Sequence, residues 1–218
     1  MALPNGIDLS RFAEPVQKVN WRCVYASSPD RGLLRLLSLW PAILKTEPEA
    51  ELHIAYGWEN TDKAIAGGRA DLAAFKEDVM RRLERTERVV WRGRLPQNEL
   101  AKLYSESWLW LYPTDFLEVS CISAMEAMAG GAVPVTTRCG ALPETLGTAG
   151  FLVPAPTTSR GYQETWLNVT RGLLLDQTMR LEYAQKGRER ARAFTWEAAF
   201  ARWLQVLGCE QQADKLAA

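Results

Sequence analysis

The chain has 218 residues, 47% apolar and 24% charged, enough for one substantial core in an ordinary soluble globular protein. Its 26 basic and 26 acidic residues cancel, which removes the electrostatic case for nucleic acid or an anionic membrane surface as a partner. Four scattered cysteines (Cys23, Cys121, Cys139, Cys209) and a single histidine, His53, make no metal-binding pattern, so no metal site and reduced thiols in a cytoplasmic setting are expected. No apolar stretch approaches the roughly 20 residues of a membrane span and no signal-peptide pattern opens the chain, so neither a transmembrane segment nor a leader is expected.

Taken in order, residues 1–20 (MALPNGIDLSRFAEPVQKVN) are rich in turn formers and read as a linker or lead-in. Residues 21–195 then alternate short apolar runs with helix-like segments, and 196–218 read as a C-terminal helix and tail. Strands are predicted at WRCVYA (21–26), ELHIAY (51–56), RVVWR (88–92), WLWLYP (108–113), AVPVTT (132–137) and GFLVP (150–154). Most are apolar throughout, which suits strands covered on both faces. Helices are predicted at GLLRLLSLWPAIL, DLAAFKEDVMRRLERTE, PQNELAKLYSES, SCISAMEAMAG, LPETLG, GYQETWLNVTRGLLLD, QTMRLEYAQKGRERARAF and TWEAAFARWLQVL. The stretch AIAGGRA (64–70) is expected to interrupt a helix or mark an inserted loop. Cations at 186, 188, 190 and 192 spread around their helix as a solvated surface. The alternation predicts an α/β fold: a Rossmann-like parallel sheet of about six strands with helices on both faces, binding ligands beyond the C-terminal strand ends.

Two carboxylates stand out, Glu118 and Glu126, in EVSCISAME. Glu118 falls in the turn after a predicted strand, and Glu126 about two turns into the helix that Gly130 and Gly131 stop. On one continuous helix, eight residues leave the two side chains roughly 80° apart and ~12 Å along the axis. That spacing suits the two ends of an extended ligand. The amides of Val119, Ser120, Cys121 and Ile122 would be the unpaired first-turn donors between them, a place for a diphosphate. The plainer reading makes Glu118 a helix-start acid and Glu126 a solvated helix residue. His53 and most of the nine tryptophans read as core.

The segment PTDFLEVSCISAMEAMAGGAVPVTTRCGALPE resembles the signature of glycosyltransferase family 4, retaining enzymes of the GT-B fold. Further pieces agree in order: LPNGIDLSRF with the interdomain linker, SSPDRGLLRLLSLWPAI with the first strand–loop–helix, and FTWEAAFARWL with the last helix. The resemblance implies one half of a GT-B fold, the half that binds a nucleotide-sugar donor of UDP, GDP or ADP type. Glu118 would contact donor-sugar hydroxyls and Glu126 the ribose hydroxyls. Amides of residues 119–122 would hold sugar and phosphate, and Arg92 and Leu95 would border the base. Arg31 stands where the family has a phosphate-binding Lys. The family's companion Arg is replaced by Ala26 or Ser27, with Arg94 and Arg138 as possible substitutes, and the usual EGFG reads EVSC. No metal or cofactor is implied, since a cation and a helix N-terminus already face the phosphates. The acceptor half would be a separate N-terminal domain or chain. A non-catalytic remnant that binds nucleotide or a protein partner is the alternative.

Overall fold

The computed structural model describes residue 3 and residues 5–208; Cys209 and the rest of the predicted tail lie outside the described residues. Six parallel strands form one sheet in the order β3-β2-β1-β4-β5-β6. They are β1 (Arg22–Tyr25), β2 (Glu51–Ile54), β3 (Val89–Trp91), β4 (Leu109–Tyr112), β5 (Val133–Arg138) and β6 (Phe151–Pro154). All six predicted strands form, each within a residue or two of the expected span. Every residue of the central β4 is buried, so consecutive side chains meet helices on opposite faces. This is why the strands read as unbroken apolar runs.

The helices are α1 (Leu33–Leu44), α2 (Glu59–Ala66), α3 (Ala70–Arg85), α4 (Gln97–Glu106), α5 (Ile122–Ala129), α6 (Leu142–Leu146), α7 (Arg160–Leu175), α8 (Gln177–Ala191) and α9 (Trp196–Leu207). One group packs α1 with α3 and α7, and another packs α5 with α4 and α8, which covers the two faces of the sheet. Trp40 from α1 and Trp110 from β4 are among the largest fully buried side chains of the core. His53, on β2, is 4% exposed, and burial pushes its imidazole below the ordinary range. The AIAGGRA stretch is the break between α2 and α3, turned at Gly68, whose φ is +99°. Helix α2 itself was not predicted. It buries no residue, so the sequence carries no apolar stripe to reveal it.

The lead-in is docked along the domain. Ile7 donates to the Phe194 carbonyl at 2.7 Å, and its strand-like bridge to Thr195 brings the first described residues against the start of α9. Further on, the Lys18 ammonium donates to the carbonyls of Ser107 (2.6 Å) and Gly130 (2.9 Å), at the C-terminal ends of α4 and α5. Orphan carbonyls there suit a cation.

Candidate nucleotide-sugar site

The strand order reverses between β1 and β4, and a crevice opens there at the C-terminal edge of the sheet. A glycine shapes its first wall. Gly32 has φ +114°, and a Cβ on it would lie 2.3 Å from the Pro113 carbonyl oxygen just beyond β4. Only glycine lets the β1–α1 turn press this closely on the β4 exit. The contact sets Arg31 beside Glu118, Nη1 to Oε1 at 3.3 Å, with its guanidinium 3.9 Å over the Phe116 ring.

Glu118 is 7% exposed and held from three sides. The Tyr112 hydroxyl donates to its Oε1 at 2.6 Å. Its carbonyl accepts from the Ala141 amide at 2.7 Å, and Gly140, at φ +52°, passes so close that a Cβ would come within 2.5 Å of the Glu118 backbone. Burial, and then the bond to Glu118, push the Tyr112 phenol well above its ordinary range. Burial works against the charge on Arg31, but Glu118, Tyr112 and Asp30 outweigh it and hold the guanidinium above its usual value.

The cleft holds about 450 Å³. Residues 26–28 and Arg31 line one end, residues 55–57 with Glu59 and Asn60 a second wall, and Arg94, Leu95 and Leu100 a third, with Tyr104, Ile122, Ser123 and Glu126 from α4 and α5. The side chain of Glu126 is only 16% exposed. Burial raises its carboxyl above the ordinary range, opposed by Arg11, whose Nη1 lies 4.0 Å away. Tyr104 also lines the cleft; its hydroxyl is buried with no hydrogen-bond partner among the described residues.

The structure corrects several expectations. Helix α5 starts at Ile122 with Cys121 as its cap, so the unpaired first-turn amides facing the cleft are those of Ile122 and Ser123. Val119 and Ser120 precede the helix. Val119 is 91% exposed, and the Ser120 hydroxyl accepts from the Asn5 amide at 3.0 Å. Both line a different groove, shared with Glu144, Arg190 and Arg202. Cys121 does not line the cleft. Its carbonyl accepts from Ala124 and Met125, and burial, then Glu118, push its thiol up to about 12. Because the chain is irregular from 113 to 121, Glu118 and Glu126 share no helix, and the 12 Å axial spacing expected for them does not apply. Glu118 reaches the cleft through Arg31. Arg92 does not line it either: its amide extends the β2–β3 ladder to Ile54 at 2.8 Å and its side chain is exposed, whereas Arg94, beyond the turn at Gly93, does. Arg138, at the exposed end of β5, stays outside. Ser123 and Tyr104 escaped the sequence reading. Ser123 was legible only with the true helix start, and Tyr104 reads locally as one more apolar helix position.

Among the described residues no group of three His, Cys, Asp or Glu side chains stands close enough to hold a metal, and no helix is long and apolar enough to cross a membrane. No curated protein matches the chain. Among solved structures, Anabaena HepE in complex with UDP and glucose is 17% identical, with TM-score 0.72 over 95% of this chain and 56% of its own. Sucrose-phosphate synthase from Thermosynechococcus elongatus is 22% identical, with TM-score 0.70 over 94% of this chain and 51% of its own. The pneumococcal O-GlcNAc transferase GtfA, in complex with UDP and GlcNAc, is 18% identical, with TM-score 0.63 over 95% of this chain and 38% of its own. These likenesses show the fold, half of a GT-B pair, and this chain spans between 38% and 56% of their lengths. The family model described as Glycosyl transferases group 1 matches residues 22–166, from the first strand through the cleft-bearing loops into α7. That match takes in more than half of the chain, and the chain belongs to this family.

Proposed function

We propose that the chain is the donor-binding half of a retaining glycosyltransferase, holding a nucleoside diphosphate sugar whose hexosyl group passes to an acceptor hydroxyl. The observation that carries this reading is that one cleft at the switch point gathers the Arg31 guanidinium, the free amides of Ile122 and Ser123, and the buried carboxyl of Glu126. Cation and amides suit a diphosphate, and a carboxylate's two oxygens suit the two hydroxyls of a ribose. Leu95 and Arg94 offer the base a wall. Glu118, behind Arg31, is the acid for donor-sugar hydroxyls.

In the transfer, the bond from the anomeric carbon to the diphosphate breaks as the acceptor oxygen bonds to that carbon and passes its proton to the departing diphosphate oxygen. Negative charge builds on the departing diphosphate. Arg31 and the α5 amides stabilise it there, a contribution of several kcal/mol by analogy with other oxyanion sites. The acceptor is bound by a separate N-terminal domain or chain.

Calorimetry with UDP, GDP and ADP tests the reading. UDP comes first because the pneumococcal and Anabaena relatives were solved with it. One nucleotide should bind clearly; silence from all three would remove the assignment. A second reading, a remnant that binds protein, draws support from α9, where Trp196, Phe200 and Trp203 are 55%, 49% and 48% exposed. It predicts a stable complex or self-association without nucleotide affinity.

A further inference from the structure

Arg31, the cation of the cleft, is engaged by a carboxylate of its own chain. Arg31 has five N–H donors, yet among the described residues its guanidinium is held by one bond to Glu118, at 3.3 Å, and by the face of Phe116. Its Nε is buried with no hydrogen-bond partner among the described residues. The two partners differ in freedom. Glu118 is fixed by the Tyr112 hydroxyl and by the Gly140–Ala141 backbone pressed against its own. Arg31 is 35% exposed and ends in the cleft.

We infer that Glu118 is a positioning residue for Arg31: it holds the guanidinium at the cleft, and a diphosphate competes with it for that cation. This rests on the nucleotide-binding reading above and adds a competition within it. Arg31 turns its donors to phosphate oxygens, which suit its planar fork better than a single carboxylate oxygen does. The Glu118 carboxylate, left with its Tyr112 bond, is then free to accept from a donor-sugar hydroxyl. On release the exchange runs backward. Glu118 recaptures Arg31, so the empty site is electrically compensated and the leaving diphosphate faces a built-in competitor.

The test measures binding of inorganic pyrophosphate, UDP, GDP and ADP by calorimetry to four versions of the 218-residue chain: unmodified, Glu118→Gln, Arg31→Gln and the double variant. Glu118→Gln keeps an acceptor for Tyr112 but removes the competing charge. It should tighten pyrophosphate and whichever nucleotide binds by about threefold or more, the range of a partly exposed ion pair. Arg31→Gln should weaken both, and in that background Glu118→Gln should bring no gain. An equal gain in both backgrounds would reveal simple repulsion and overturn the competition, as would unchanged or weaker binding in Glu118→Gln. Glu118→Asp, which retracts the carboxylate without removing its charge, should also tighten pyrophosphate and serves if the Gln variant melts early. Pyrophosphate binding that follows this pattern without any nucleotide binding would sink the nucleotide reading and leave the exchange standing. If the unmodified chain binds none of the four probes, both fall.

Discussion

Burial has two opposed consequences at Glu126. A carboxyl raised above the ordinary range by desolvation costs the fold stability whenever it is ionised. Between the unfolded value, about 4.3, and the raised folded value, the native state keeps a proton that the unfolded chain has lost. Stability therefore falls as pH rises through that window, and the cost is complete above it. Glu126→Gln should accordingly raise Tm at pH 7, with the gain shrinking below the window, read by thermal melts across pH. The same change should harm the site. If the ionised carboxylate accepts two ribose hydroxyls, Glu126→Ala should lose roughly 1.5–3 kcal/mol of nucleotide affinity, the scale of a charged hydrogen bond. For the unmodified chain, affinity should fall as acid protonates Glu126 at a pH above that of a free glutamate. Equal nucleotide affinity in the Ala variant, by calorimetry, would take Glu126 out of the site. Glu126 was legible in the sequence because a carboxylate among small and apolar residues is conspicuous. The partnerless hydroxyl of Tyr104 was not, since only the packed structure shows which tyrosines lack a partner.

At the level of elements, the strand–helix alternation was readable almost throughout, and the connections were not. The central strands announce themselves because burial on both faces demands continuous apolar runs, as in β4, whose four residues are all buried. The loop from Pro113 to Cys121 borders the cleft through Glu118, which touches Arg31, and the stretch from 116 into the start of α5 mixes exposed Phe116, Leu117, Val119 and Ile122 with buried Glu118 and Cys121. No periodicity describes it. Helix α5 therefore starts later than its sequence suggests, and among the described residues its unpaired first-turn amides are those of Ile122 and Ser123, with Val119 and Ser120 lying before the helix. What shapes this loop is the contact it makes with glycines distant in sequence, Gly32 and Gly140. Gly32→Ala would place a side chain at φ +114° and 2.3 Å from the Pro113 carbonyl oxygen. Backbone strain and the forced shift together should cost roughly 2–4 kcal/mol and weaken pyrophosphate binding, because Arg31 is the preceding residue. Gly161→Ala is the matched control: a Cβ there meets nothing within 4 Å at a helical position of α7, so it should stabilise by roughly 0.5 kcal/mol. Denaturant melts of the two variants should move in opposite directions.

At the scale of the whole molecule, every wall of the cleft comes from this one domain. Its groups come from the C-terminal edge of a single sheet, and its far side opens to solvent. The chain also spans only part of the solved relatives' length, 56% in the case of Anabaena HepE. Helix α9 presents Trp196, Phe200, Trp203 and Leu207 at helical spacing on one exposed face, a patch of the kind that marks a contact surface. Phe200→Glu together with Trp203→Glu should lower self-association at high concentration, by sedimentation velocity, and leave nucleotide affinity within about twofold, since neither residue lines the cleft. The one-sided cleft has a further consequence for turnover. On the proposed reading, charge stabilisation by Arg31 and two amides would supply several kcal/mol. Fixing an acceptor hydroxyl beside the anomeric carbon is worth about 7–11 kcal/mol more, and excluding water protects the reactive centre. One domain, with its cleft open to solvent, can provide the first contribution and neither of the others. The 218-residue chain should therefore bind its nucleotide sugar yet release nucleoside diphosphate far below the ~1 s⁻¹ common among enzymes, whatever simple acceptor is added. A coupled assay for released nucleotide measures this directly. Turnover near 1 s⁻¹ by the chain alone would mean that its own surface positions the acceptor, and the division of labour between two halves would have to be abandoned.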